Sequence, residues 1–301
     1  MKSFIVFSLT LLVLVLGATV VLSLQLNRTV RKSMRTGLST ETILIGDSHA
    51  GNIPWDGPAY IMPGSGLLHT FLVIRELVEA QDRQEQLPVL VCPIWPGMFS
   101  RHQEGRYNGA FRDKWGAKFG GRLCGLWRAE DWTNNPSPMY LKVQMLLGNF
   151  QFRSESTFTR DNECATKPVN PKRLIFDQLN YPHSWFDDAL YSKWLFHSIN
   201  REVAASKATL IWVSTPTHKN FQIDEQVRTK YSDLFATSAT ANIHHIDLST
   251  MNTFEEGFID YHHINCLLAT EVKKQIDSIV SETLPFHLID SITPGVTNGA
   301  N

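Results

Sequence analysis

In the stretch TILIGDSHAGN, residues 42–52, the apolar run Ile43-Leu44-Ile45 gives way at Gly46 to Asp47, Ser48 and His49. Consecutive aliphatic residues closed by glycine read as a buried strand, and the small polar residues after it read as the turn that ends it. Strands buried on both faces belong to parallel sheets covered by helices. In such sheets ligands sit beyond the carboxyl ends of the strands. Two readings of Gly46-Asp47-Ser48 therefore stand side by side. It is either a turn that punctuates the strand or a turn that presents Ser48 as a nucleophile.

Outward from that stretch the pattern repeats. PAYIM (58–62), LPVLVCPIW (87–95), ATLIWVSTP (208–216) and NIHHIDLS (242–249) read as strands. Between them GLLHTFLVIRELVEAQ (66–81), ALYSKWLFHSINREVAASK (189–207) and residues 221–236 carry apolar residues at helical spacing. Ile264, Leu267, Leu268, Val272, Ile276, Ile279 and Val280 mark a closing amphipathic helix. This alternation predicts an α/β domain over 42–284, a three-layer flavodoxin-like sandwich around a central parallel sheet. Periodicity weakens over 98–186, which reads as an irregular Trp/Arg-rich insertion over the same strand ends. There Trp115, Trp127 and Trp132, with Trp95 and His49 nearby, are candidates to contact substrate. Arg101 and the arginines at 106, 112, 122 and 128 suit carboxylates. Equally, the tryptophans can serve to staple a poorly packed insertion. Residues 285–301, rich in Thr, Pro, Gly and Asn, read as a flexible tail.

A chain of 301 residues with 43% hydrophobic content can bury one sizeable core. A net charge of -1 offers no electrostatic footprint for nucleic acid. Phe4 to Leu24 carries no charge and is long enough to cross a bilayer core of about 30 Å, so an uncleaved transmembrane anchor at 4–24 and a linker at 25–41 are expected. Arg28, Arg31, Lys32 and Arg35 follow the span while Lys2 precedes it, which by charge alone places the domain in the cytoplasm. A short span before one globular domain is the usual layout of a tethered, exported protein, and the exported side of the cytoplasmic membrane is the expectation adopted. Cys92 and Cys266 read as small core residues, whereas Cys124 and Cys164 lie in loop-rich sequence and can pair in an oxidising compartment.

A hydroxyl nucleophile needs a base, an acid that holds the base in its tautomer, and donors for the oxyanion. IDYHHIN (259–265), just before the last helix, offers Asp260 and His263 at a spacing that lets the carboxylate face the imidazole Nδ1. Asp260 also fits as a cap of the helix beginning near Ile264. Gly46-Asp47-Ser48 after the first strand, with Asp260-x-x-His263 before the last helix, resembles the SGNH (GDSL-like) hydrolase superfamily. The likeness is strongest to its membrane-tethered branches that handle acetyl groups on cell-surface polysaccharides. The resemblance implies Ser48 as nucleophile, His263 as base and Asp260 as orienting acid. It implies an oxyanion hole from the Ser48 N–H, the Gly64 N–H (Gly66 being the alternative) and an asparagine after the third strand. IWPGMFSR (94–101) has no such asparagine, which leaves Asn108 or Asn52 as substitutes, or the two backbone donors to suffice.

The function expected on that basis is O-acetyl transfer or deacetylation on a surface polysaccharide, with no cofactor or metal. A membrane acyl-carrier protein is one candidate donor partner. Two other classes fit less of the sequence. A catalytically degenerate relative would bind polysaccharide or scaffold its assembly. A metallophosphoesterase would use Asp47 and His49 with His244, His245, Asp247 and His262 as ligands, but LGNF (147–150) lacks the histidine that class needs.

Overall fold

The computed structural model describes residues 3–11, 13–15, 17, 18, 21, 42–81, 88–108, 126, 128–139, 141, 142, 172, 186–221, 223–251 and 257–283. The elements run β1 (Ile43–Gly46), β2 (Ala59–Ile61), α1 (Leu67–Gln81), β3 (Val89–Ile94), α2 (Arg101–Asn108), α3 (Leu190–Ala204), β4 (Thr209–Ser214), α4 (Glu225–Ala236), β5 (Ile243–Asp247) and α5 (Cys266–Thr283). All strand pairings are parallel, in the order β2-β1-β3-β4-β5. The fold is α/β with a central five-stranded parallel sheet.

Alternate strand residues feed two separate cores, because successive side chains point to opposite faces. Ile43, Ile45, Leu90, Cys92, Leu210 and Trp212 pack against α1, α3 and α4. Leu44, Val89, Val91, Ile211 and Val213 pack against α5 through Leu268, Val272 and Ile276. Every strand residue of β3 is buried, as expected for a central parallel strand, while β2 is an exposed edge. Helix α2 lies in the segment read as irregular, while the predicted strands and helices lie within a few residues of their expected positions. The largest difference is α4, expected from Phe221, which begins at Glu225 because the Asp224 carboxylate accepts the Gln226 N–H at 2.7 Å and caps it.

Gly46 ends β1 and admits a tight turn. A Cβ built there would lie 2.9 Å from the Ala50 Cβ, so any other residue would push the 3-10 turn Ala50–Asn52 off the strand end. The chain leaves β1 for β2 on one side and for β3 on the other, which makes the carboxyl end of β1 the topological switch point.

The expectation for Cys266 changes, and that for the anchor goes unsupported. Among the described residues, no helix is long and apolar enough to cross a membrane, so the anchor over 4–24 is not carried by them. Residues 3–11, 13–15, 17, 18 and 21 are helical, and the linker 25–41 and tail 285–301 lie outside the described residues. Cys266 is half-buried and disulfide-bonded rather than a small core residue. Cys92 is free and buried, and the expected pairing of Cys124 with Cys164 lies outside the described residues.

The described parts of the 98–186 segment dock on α1 and α3. Asp131 takes a two-pronged ion pair from Arg75, at 2.7 and 2.9 Å, and Arg128 pairs with Glu76 and Glu79 of α1. Glu104 of α2 accepts the Ser192 N–H at 2.7 Å and its hydroxyl at 2.8 Å, meeting unpaired donors at the start of α3.

Candidate active site

Two short loops meet at the carboxyl end of β1, and each is closed by its own aspartate. In the first, the Asp47 carboxylate accepts both the His49 N–H and the His49 Nδ1–H at 2.9 Å. In the second, Asp260 Oδ1 accepts the N–H groups of His262 and His263 at 3.1 and 2.8 Å. The Ile259 N–H donates to the His263 carbonyl at 2.8 Å, which tightens that loop around the carboxylate. Asn265, and not Asp260, caps the closing helix, accepting the Leu267 and Leu268 N–H groups. Asp260 is thereby left to its histidine.

Asp260 Oδ2 lies 2.8 Å and Oδ1 3.0 Å from His263 Nδ1, and Ser48 Oγ lies 2.8 Å from His263 Nε2. A carboxylate on Nδ1 fixes the proton there, so Nε2 is the acceptor and the serine hydroxyl donates to it. Sequence separation between Ser48 and His263 is 215 residues, so only the sheet brings them together. Ser48 is half-buried, whereas Asp47 and His49 are buried.

Electrostatics follow from burial. Desolvation opposes the charged Asp260 carboxylate, yet the hydrogen bond from His263 and the fields of His262 and His263 outweigh it and hold the group well below the usual carboxylate range. Desolvation, reinforced by His49, pushes His263 below the ordinary imidazole value, against the pull of Asp260. A base with a lowered pKa stays neutral as pH falls through 6.5 and is lost only at lower pH. Fluorophosphonate labelling of Ser48, measured across pH with EDTA present, is therefore expected to show an acid limb below 6.5. A limb above it would contradict this environment.

The loop after β2 places the candidate oxyanion glycines. Ile61 pairs with Gly46, and the Met62 N–H donates to the Gly46 carbonyl at 2.9 Å, so the loop that carries Gly64 leaves the sheet next to the strand end that carries Ser48. Gly64 and Gly66 have φ of 77° and 55°, the left-handed region that only glycine occupies cheaply. Helix α2 buttresses the loop, with Arg106 donating to the Gly64 carbonyl and Tyr107 to the Ser65 carbonyl, both at 3.3 Å. Asn108 ends α2, but its side chain lies outside the described residues. Asn52 is buried, four residues after Ser48 on the same turn, and its Nδ2 has no acceptor among the described residues.

Of the residues expected to touch substrate, Trp95 and His49 are buried, at 4% and 3% exposed, so both face protein rather than a glycan. Trp95 lies flat on His262 at 4.4 Å between centroids, and its ring covers Gly97, where a Cβ would collide with it. Arg106 and Arg128 are engaged in the structural contacts above, and Arg101 is exposed. Trp115 and Trp127 lie outside the described residues, as does the Trp132 side chain. The metallophosphoesterase set is not assembled as expected. His245 donates to or accepts from Ser214 at 2.7 Å and stacks on Phe235 at 3.9 Å, on the α4 side of β5. Two members of that set, His49 and His262, come together with His263 instead, a grouping that the set did not include. Its hint in the sequence is a repeated Asp-x-His spacing, Asp47-x-His49 and Asp260-x-His262.

Compared with models of known protein families and with curated proteins, the chain matches none.

Proposed function

We propose that the protein carries out serine-dependent acyl-ester chemistry, as an O-acetyltransferase or esterase of a cell-surface polysaccharide. The observation that carries the reading is the hydrogen-bonded chain Ser48–His263–Asp260, with Ser48 partly open to solvent. Ser48 Oγ attacks the ester carbonyl as its proton passes to His263 Nε2, and Asp260 stabilises the imidazolium that forms. The Ser48 and Gly64 N–H groups, with Asn52 Nδ2 as third donor, receive the oxyanion. Collapse of the tetrahedral intermediate expels the alcohol, which takes the proton back from His263 and leaves an acyl-serine. Water or a sugar hydroxyl then gives its proton to His263 and accepts the acyl group.

The disulfide at Cys266 favours an oxidising compartment, and so the exported face of a membrane. Tethering through residues 4–24 is part of the same proposal. Phe4, Phe7 and Leu14 are 72%, 66% and 65% exposed on that helical segment, apolar surface that a bilayer would cover. An acyl-carrier protein in the membrane would then supply the donor.

The test compares acetyl content of the cell's own surface polysaccharide with Ser48 intact and with Ser48→Ala. A fall in acetyl identifies a transferase and a rise an esterase. No change in any surface glycan would reject the polysaccharide as substrate.

A further inference from the structure

Three imidazoles meet behind Ser48, and the acyl-serine chemistry uses one of them. One ring nitrogen from each of His49, His262 and His263 lies within 4.8 Å of the other two. Nδ1–H of His49 is engaged by Asp47 at 2.9 Å and Nδ1–H of His263 by Asp260 at 2.8 Å. The Nε2 lone pairs of both rings therefore point away from the carboxylates. A carboxylate on the far nitrogen is the usual companion of a metal-binding histidine, because it fixes the tautomer and raises the basicity of the ligating nitrogen. Here two of three histidines have one. His262 Nδ1 lies 3.3 Å from His49 Nε2, and with Nε2 as acceptor that gap holds the His262 proton. A cation can replace this proton once His262 moves it to its own Nε2, a change of tautomer with no change of charge.

We infer that His49, His262 and His263 form an inhibitory site for a divalent transition metal, zinc in the first instance, which takes His263 Nε2 away from Ser48. Three neutral imidazoles suit zinc, and calcium or magnesium would demand oxygen ligands. Nitrogens on a tetrahedral zinc stand ~3.4 Å apart, given bonds of about 2.0–2.1 Å. The His49 and His263 rings lie stacked, 4.6 Å between centroids and 19° apart, so metal binding requires one of them to turn its lone pair towards the other two nitrogens. Asp47 and Asp260 together balance the charge of the ion, and water can fill the fourth position. The lone pair on His263 Nε2 cannot bind a metal and accept the serine proton at once, so occupancy silences Ser48. That consequence rests on the acyl-serine reading, whereas the metal site itself does not.

The purified full-length chain, stripped with EDTA and dialysed, is titrated with zinc against a chromophoric chelator. Cobalt(II) is then added as a spectroscopic substitute. One zinc per chain is expected, with the visible absorption of a four-coordinate cobalt. One equivalent of zinc is expected to abolish most fluorophosphonate labelling of Ser48, and EDTA to restore it. Asp47→Asn should weaken zinc roughly 10–100-fold by removing the partner of His49, and His262→Gln should weaken it at least as much. Ser48→Ala should leave zinc affinity unchanged. No stoichiometric zinc, affinity indifferent to a folded His262→Gln, or labelling unaffected by bound zinc would each overturn the site or its inhibitory role. Should His262→Gln fail to fold, the cobalt spectrum of the unaltered chain still decides, and a spectrum lacking four-coordinate bands overturns the site. Failure of labelling in metal-free protein would remove the acyl-serine reading instead, while the zinc titration stands.

Discussion

Ser48→Ala and His263→Ala are each expected to lower turnover by about 10⁶-fold, and the double variant by no more than either alone, because nucleophile and base act as one unit. Residual turnover over the uncatalysed reaction would come from the oxyanion donors and substrate binding. Both variants should fold. Ser48 is half-buried on a turn, and losing its hydroxyl leaves His263 with its Asp260 partner. In His263→Ala the Asp260 carboxylate keeps the two backbone N–H groups that close its loop, at 3.1 and 2.8 Å, so no buried charge is stranded. The measurement is ester turnover, with circular dichroism melting as the check on folding. Substantial activity in either folded variant would end the proposed mechanism.

Much of the sheet is legible in the chain because its strands are covered on both faces. Runs such as Val89-Leu90-Val91 and Leu210-Ile211-Trp212-Val213 are too apolar to be anything but interior. Helix α1 is equally plain from its spacing. The starts of helices are less so, because they depend on one capping side chain. Asp224 rather than Phe221 sets the start of α4, and Asn265 rather than Asp260 caps α5.

The meeting of Ser48, His263 and Asp260 rests on two motifs that are local in sequence, and the sheet supplies the rest. What surrounds them is non-local, and the chain alone misplaces it. An arginine that could bind a glycan carboxylate looks the same in sequence as Arg128, which pairs with Glu76 and Glu79 across about fifty positions. Trp95 looks like a stacking platform until its ring is found lying on His262 over Gly97. Cys266 looks like a core residue on an amphipathic helix, and its bond depends on a partner that spacing cannot choose.

Asp260→Asn is the substitution that separates a positioned base from a histidine that happens to lie near a serine. The asparagine carbonyl can replace Oδ1 as acceptor for the His262 and His263 N–H groups, since those donors fix which end of the amide faces the loop backbone. The amide nitrogen must then take the place of Oδ2, 2.8 Å from His263 Nδ1. A donor at this shorter contact opposes a proton on Nδ1 more than Oδ1, 3.0 Å away and shared with two backbone N–H groups, can retain it, and so drives the ring proton to Nε2. Ser48 Oγ would then face an N–H instead of a lone pair, with the loop still closed. Turnover is expected to fall by about 10⁴-fold with stability nearly unchanged, the effect of a wrong tautomer in intact geometry. Nitrogen NMR of His263 reads the tautomer directly and should show the proton moved from Nδ1 to Nε2. Turnover near the original value, or a ring that keeps its Nδ1 proton while activity is lost, would mean that Asp260 does not act by holding His263 as a base.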